Sequence, residues 1–381
     1  MTRCLVLGGA GFIGSHLCNA LLSENYAVRI FDRPGSKFVP LADSKNREFS
    51  SNIEFYEGDY LNKRQVDEAV EGCDIVFHLI STTVPASSNA DPSYDISSNV
   101  IGSINLIQSC IQHNIKKFVY VSSGGTIYGV PTSLPIPEVH PCNPICSYGI
   151  GKLAVEKYLH LYQYLNDLDY CVIRLSNPYG WNPNVKKQQG VINVFIDQII
   201  RHQHIEVWGD GSVIRDYIHI DDAVSALIAV LKKNVKNDVF NIGAGEGASI
   251  RDLLDILRMA MAFDRHTTKI MQVCGGIMHV HIGEDQFLID VDKINHETKF
   301  NRMDASSYLD PATFGRWVHS MFEASRVPEC TTFEELVSSL DFASDGRGHD
   351  HDPFSVSAMN TIPIELSEIK ENDDFVPAED D

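Results

Sequence analysis

The sequence predicts an α/β fold, a doubly wound parallel sheet with a smaller C-terminal lobe, on three observations. Short β-rich apolar runs alternate with longer segments of helical spacing through the first half. A glycine-rich turn lies directly between the first such run and the first helical segment. Past about residue 181 the alternation gives way to irregular sequence in which Gly and Pro are common.

Arg3–Leu7 is apolar and ends in glycines, which reads as a buried strand, and Phe12–Ser23 has helical spacing. Ala27–Phe31 and Ile53–Tyr56 are the next strand-like runs. Arg64–Glu71 reads as a helix and Asp74–Leu79 as a strand. Asn99–His113 places Val100, Ile101, Ile104, Ile107 and Ile111 at helical spacing. Phe118–Ser122 is a strand, Tyr148–Tyr164 a long helix and Cys171–Leu175 a strand. Strands that alternate with helices in this way imply a parallel sheet covered on both faces. Tyr217–Lys232 and Val239–Ile242 read as sheet-type elements with a helix between them. The expected domains are 1–180, with returning segments near 215–245, then a lobe over 181–340 and a tail over 345–381.

With 381 residues, 44% hydrophobic and 22% charged, the chain is neither wholly disordered nor collagen-like. Its formal net charge of −20, with no Lys/Arg cluster, excludes nucleic acid and anionic membrane as expected partners. No apolar run reaches the ~18 residues needed to span a bilayer. The N-terminal apolar run stops at Gly8-Gly9, short of a signal-peptide core of about 7–15 residues. Nine scattered Cys then read as reduced thiols of a cytoplasmic protein. Cys142 and Cys146 lack a second pair at metal-ligand spacing, and no metal is assigned. Residues 345–381 hold eleven Asp/Glu against Arg347 and Lys370 and read as a solvated, mobile acidic tail. A metal held there by His349-Asp350-His351-Asp352 would have to overcome the chain entropy of a flexible segment.

Gly8-Gly9-Ala10-Gly11-Phe12-Ile13-Gly14 is the strongest local signal. Gly8 permits the tight turn, Gly11 lets backbone approach a pyrophosphate, and Gly14 lets the helix pack closely on the sheet. Free N–H groups and the positive end of the helix dipole then face the phosphates. Asp32, 18 residues past Gly14 at the end of the second strand, is placed to accept hydrogen bonds from an adenosine ribose. Its charge favours NAD over NADP, although Arg33 offers a partner to a 2′-phosphate. Asp59, after the third strand, is within range of the adenine, and its spacing fits an ordinary turn aspartate nearly as well.

Tyr148 and Lys152 share one face of the long helix at i,i+4 spacing. A neighbouring ammonium, and the positive charge of a bound nicotinamide, favour the phenolate, which makes Tyr148 a candidate general base near neutral pH. Gly149 and Gly151 are poor helix formers, so close approach by another group is expected there. Upstream, Val121-Ser122-Ser123-Gly124-Gly125-Thr126-Ile127-Tyr128-Gly129 sits at the end of a strand, where doubly wound sheets bind ligands.

In combination these motifs resemble the extended short-chain dehydrogenases/reductases of the NAD-dependent epimerase/dehydratase group, and most nearly UDP-glucose 4-epimerase-like enzymes. The resemblance runs over residues 1 to about 300 and includes His78-Leu79, Asn99-Val100-x-Gly102, Arg174-x-x-Asn177-Pro178-Tyr179-Gly180 and Arg215-Asp216-Tyr217-Ile218-His219-x-x-Asp222. It implies a Rossmann domain followed by a substrate-binding lobe. It makes Tyr148 the base, Lys152 its partner and ribose ligand, and Ser123 the third member of the triad. Ser123 precedes Tyr148 by 25 residues, but Gly124-Gly125 shifts its register against Tyr128, so Thr126 is the reserve candidate. Gly8, Gly11, Phe12, Ile13, Gly14, Asp32, Asp59, Tyr60, Leu79, Asn99 and Ser176 join Tyr148 and Lys152 in the implied NAD site. Asn177 and Arg215 face a nucleotide sugar, Arg215 through charge-assisted hydrogen bonds to phosphate.

The implied reaction is inversion at C4. Tyr148 removes the C4 hydroxyl proton as hydride passes to NAD, the 4-keto sugar turns, and hydride returns to its opposite face. The related 4,6-dehydratases place an Asp-Glu pair just after the active-site Thr, where this chain has Gly124-Gly125, which argues against dehydration. A one-way reductase uses the same triad, and a non-catalytic NAD-binding scaffold is the alternative of another class. The family also has a second phosphate-binding Arg where His279–Asp290 contains neither Arg nor Lys. There His281 or a displaced residue serves, or the diphosphate is held differently. A homodimer packed through Asn99–His113 and Tyr148–Tyr164 is likewise implied by resemblance.

Overall fold

The computed structural model describes residues 1–39, 52–180, 190–200, 205, 207 and 210–263. The tail 345–381, the stretch His279–Asp290 and most of the expected lobe lie outside the described residues. Strand β1 (Arg3–Leu7) leads through the glycine turn into α1 (Phe12–Ser23). β2 (Ala27–Asp32), β3 (Ile53–Glu57), α2 (Lys63–Val70) and β4 (Ile75–His78) follow. Two short helices, α3 (Pro85–Ser88) and α4 (Pro92–Asp95), precede a π-helical turn, Ile96–Ile101, which continues as α5 (Gly102–Gln112). Next come β5 (Lys117–Ser123), α6 (Ser147–Asn166), β6 (Tyr170–Leu175) and β7 (Asn177–Tyr179). The described chain ends with α7 (Val191–Ile200), β8 (Ile214–His219), α8 (Ile220–Lys232), β9 (Asp238–Ile242), β10 (Gly247–Ser249) and α9 (Ile250–Phe263).

Seven strands form one sheet in the order β3-β2-β1-β4-β5-β6-β9, every pair parallel. This is the Rossmann arrangement the alternation predicts. The strand order reverses between β1 and β4, and the carboxyl ends at that point flank a ligand crevice. A second sheet, β10-β8-β7, pairs β8 parallel with β7 and antiparallel with β10.

The central strands are buried on both faces, which explains why they read as continuous apolar runs. Alternate residues feed opposite cores. Val119 and Val121 of β5 join Leu17, Leu21, Val224 and Leu227 from α1 and α8. Phe118 and Tyr120 of the same strand join Leu106, Ile107, Val155 and Leu159 from α5 and α6. Each such side chain contributes about 1.5–3 kcal/mol by leaving water.

The helix expected from Asn99 begins instead as the π turn at Ile96. Asp95 and Ser98 are polar yet buried, so an inward-facing start looks like a surface loop in sequence. Six elements escaped the sequence reading: α3, α4, β7, β10, α7 and α9. The first four have three or four residues, too few to show a period. α7 and α9 lie in the Gly/Pro-rich second half.

Candidate active site

The glycine turn closes tightly at the end of β1. Gly8 has φ +83°, and its N–H donates to Phe31 O at 2.8 Å, tying the turn to β2. A Cβ on Gly14 would stand 2.1 Å from Gly8 O, so α1 reaches the turn only because Gly14 has no side chain. Gly11 is the N-cap of α1 in extended backbone and makes no side-chain cap bond; Phe12 and Ile13 open the helix. Asp32 Oδ2 accepts from Ala10 N at 3.0 Å, while its Oδ1 accepts from Arg33 N at 2.9 Å and Ser36 Oγ at 3.0 Å. The acid therefore sits against the glycine turn, as a ribose-binding carboxylate requires.

Other expected cofactor residues separate into two kinds. Leu79 is half-buried just past β4, its N–H on Leu7 O, and Asp59 is exposed, accepting from Leu61 N at 2.9 Å. Tyr60 is buried: its hydroxyl lies 3.1 Å from His78 Nε2 and 3.2 Å from Ser103 Oγ. Its ring is committed to the core beneath α5, so any part it takes in the cofactor site falls to its backbone.

Tyr148 and Lys152 do come together on α6. Lys152 Nζ lies 5.5 Å from the Tyr148 ring centroid and 4.9 Å from that of Tyr120, and it donates to Val121 O at 3.0 Å. Burial pushes the ammonium down to about 8, against Glu156 and Asp95, which favour its charge. Burial pushes the Tyr148 phenol up to about 12; a hydrogen bond with Ser81 opposes the rise, and Cys146 and Asp95 add to it. The expectation of a phenol lowered by its lysine is thus overturned for the protein alone. Desolvation is the largest cause of the rise.

Ser123 ends β5, half-buried, with its carbonyl accepting from Ile127 N. Beyond it the turn presses on α6: a Cβ on Gly149 would stand 2.7 Å from Thr126 O and 2.9 Å from Pro144 Cβ. This is the close approach expected at Gly149; at Gly151, where the same was expected, the nearest atoms stand at 3.5 and 3.7 Å, ordinary contact. Thr126 Oγ1, Ser122 Oγ and Ser176 Oγ are buried without a hydrogen-bond partner among the described residues. Orphaned hydroxyls at the carboxyl ends of β5 and β6, and a cradle that a Cβ would fill, fit a dinucleotide and its substrate. Asn177 Nδ2 donates to Asp216 O at 2.8 Å, which joins β7 to β8, and Arg215 Nη1 donates to Ile214 O at 2.8 Å. His281 lies outside the described residues.

The structure adds residues that sequence reasoning missed. Ser88 Oγ accepts from Tyr148 N at 3.0 Å and Asn89 Oδ1 from Ser147 N at 2.9 Å, so the start of α6 is capped from across the site. Asn99 Nδ2 donates to the buried carboxylate of Asp95 at 2.9 Å. Arg174 and Glu156 form a buried bidentate pair at 3.1 and 2.7 Å, and Arg174 Nη1 also donates to Tyr128 Oη at 2.9 Å, fixing the far end of the 123–129 turn. Asn99, Tyr128 and Arg174 lay in quoted motifs, whereas Ser88, Asn89, Asp95 and Glu156 did not; partners distant in sequence leave no spacing signal.

A glycine turn that admits no side chain at Gly14 and a Tyr148–Lys152 pair on α6, both at the carboxyl edge of one parallel sheet, are the arrangement of a dinucleotide-dependent enzyme. The chain belongs to the NAD-dependent epimerase/dehydratase family, whose model matches residues 4–243, and NAD is its cofactor. A UDP-glucose 4-epimerase of Mycolicibacterium smegmatis is 33% identical over 253 residues, 66% of this chain and 80% of that protein. A dTDP-4-dehydro-6-deoxyglucose reductase of Escherichia coli is 30% identical over 266 residues, 68% of this chain and 81% of that protein. The structure is similar to that of UDP-glucose 4-epimerase from Thermotoga maritima, crystallised with UDP-glucose: TM-score 0.68, 30% identity, 83% of this chain and 99% of that one. Among the described residues no helix is long and apolar enough to cross a membrane.

Proposed function

We propose that the chain is a nucleotide-sugar 4-epimerase of the UDP-hexose type, acting through a transient 4-keto sugar. The observation that carries this reading is the Tyr148–Lys152 pair at the end of β5, beside a turn whose Gly124-Gly125 supplies no acid or base for eliminating water. NAD, when bound, supplies the acceptor and then the donor of hydride. Tyr148 Oη takes the C4 hydroxyl proton and gives it back to the C4 oxygen once the 4-keto sugar has turned. Lys152 holds positive charge beneath the phenol, and Ser123 or Thr126 orients the sugar oxygen. The unpartnered Thr126 hydroxyl supports a place for it in that role beside Ser123. Asn177 and Arg215 hold the nucleotide side of the substrate. The enzyme works in the cytoplasm as a homodimer.

A second reading, reduction of a 4-keto nucleotide sugar, draws support from the Escherichia coli reductase among the relatives. The two separate in one experiment. NAD-loaded protein is incubated with UDP-glucose, UDP-galactose, UDP-N-acetylhexosamines and UDP-hexuronates, and the products are resolved by C4 configuration. Inversion without net change in NADH absorbance is expected. Stoichiometric consumption of NAD(P)H by a 4-keto sugar, with no inversion of any substrate, transfers the assignment to the reductase.

A further inference from the structure

We propose that Asp95 is a positioning residue for the Tyr148–Lys152 pair: its buried carboxylate joins the loop after β4, the π turn and the first residue of α6 into one unit that sets where phenol and ammonium stand. This rests on the reading of Tyr148 and Lys152 as the proton-transfer pair. The carboxylate is 1% exposed. Oδ1 accepts from Thr83 Oγ1 and from Asn99 Nδ2 at 2.9 Å, and Oδ2 accepts from Ser147 Oγ at 2.7 Å. Asn99 in turn accepts from Thr82 N at 2.9 Å, so the loop is tied twice. Ser147 is the residue before Tyr148, and the carboxylate acts on the phenol through that link. The π turn that follows Asp95 brings Asn99 onto the same oxygen as Thr83. Such turns recur at functional sites because they re-aim side chains inside a helix.

All three donors are neutral, so the carboxylate is hydrogen-bonded but draws no cation from among them, and its burial is costly. Its charge acts on Tyr148 and Lys152 of α6 and on Tyr120 of β5; Glu156 of α6 and His78 of β4 face Lys152, and Cys146, the N-cap of α6, acts on Tyr148. His78, pushed down to about 3 by burial, is neutral throughout the working range. Glu156 and Asp95 favour the charged form of Lys152 against its burial, and Asp95 adds to the rise that burial gives the Tyr148 phenol.

The test is Asp95→Asn in the full-length, NAD-loaded protein. Asparagine keeps the shape and removes the charge. Turnover is expected to fall about 100-fold, as a misplaced pair requires, with KM for the nucleotide sugar within about twofold. Both limbs of the kcat–pH profile move to lower pH, because phenol and ammonium each lose their proton earlier. Tyrosinate absorbance, read as D95N minus D95N/Y148F against wild type minus Y148F, moves the same way without any turnover. An unshifted profile and an unshifted tyrosinate titration overturn the inference. If D95N does not fold, Ser147→Ala removes only the Oδ2 bond; about tenfold slower turnover supports the proposal and wild-type turnover rejects it. An active Y148F would reject the pair itself, and Asp95's role with it. An inactive Y148F beside a wild-type-like D95N rejects Asp95 alone.

Discussion

Burial moves the two central groups in opposite senses, Lys152 down to about 8 and Tyr148 up to about 12. For the lysine this is also a statement about stability. Below about pH 8 the folded and unfolded states both carry the proton, and the folded state bears the whole desolvation penalty, about 3 kcal/mol against an ordinary lysine at 10.5. As pH rises from about 8 towards 10.5 the folded state sheds the proton first and the penalty fades. Lys152→Met removes that penalty and leaves Val121 O without its donor, a loss of about 1–3 kcal/mol that does not vary with pH. The stability of the variant relative to wild type should therefore be highest at neutral pH and fall by about 3 kcal/mol towards pH 10.5, while turnover is lost. Urea unfolding of both proteins across that range checks it; a constant difference would refute the buried charge. Sequence spacing revealed that Tyr148 and Lys152 share a face. It did not reveal how deeply they lie, and depth decides the direction of both titrations.

At the scale of elements, α6 carries two glycines with different reasons to exist. Gly149 faces Thr126 O at 2.7 Å from a would-be Cβ, too near for any side chain, whereas the nearest atoms to Gly151 are Val100 Cγ2 at 3.5 Å and Asp95 Oδ2 at 3.7 Å, ordinary contact. Gly149→Ala should drive α6 away from the 123–129 turn and lower kcat by about 100-fold, since Tyr148 is the adjacent residue. Gly151→Ala should keep most activity and gain up to about 1 kcal/mol of helix stability. Melting curves and turnover of the two variants, measured side by side, separate these outcomes; equal effects would mean the turn does not press on the helix. Long helices such as α1 and α6 were legible because twelve or more residues show a period (α9, fourteen residues long, went unread all the same), and the central strands because burial on both faces leaves continuous apolar runs. The π turn was not, because Asp95, Ser98 and Asn99 make polar contacts inward and so mimic a solvated stretch. Nor were the caps of α6, since Ser88 and Asn89 stand some sixty residues before the amides they accept.

For the whole molecule, the order β3-β2-β1-β4-β5-β6-β9 decides why distant motifs meet. Parallel strands put every carboxyl end on one edge, so the turn after β1, the acid after β2 and the turn after β5 share that edge although more than a hundred residues separate the first from the last. Alternation of strands and helices made this sheet readable from sequence, and the glycine turn marked which edge holds the ligand. A ligand that binds only the assembled edge must stabilise the entire fold by mass action, by about 2.7 kcal/mol at a hundred times its dissociation constant. NAD should therefore raise the melting temperature in a concentration-dependent way. NADP should do so less, because its extra phosphate meets the Asp32 carboxylate, which three hydrogen bonds hold in place beside the turn. Gly14→Ala, whose Cβ would fall 2.1 Å from Gly8 O, should abolish the shift by NAD, since α1 and the turn can then no longer keep their present contact. Thermal melts of wild type and variant across a titration of each dinucleotide make the measurement. Equal stabilisation by NAD and NADP would remove Asp32 from the ribose, and an undiminished NAD shift in the variant would remove the glycine turn from the phosphates.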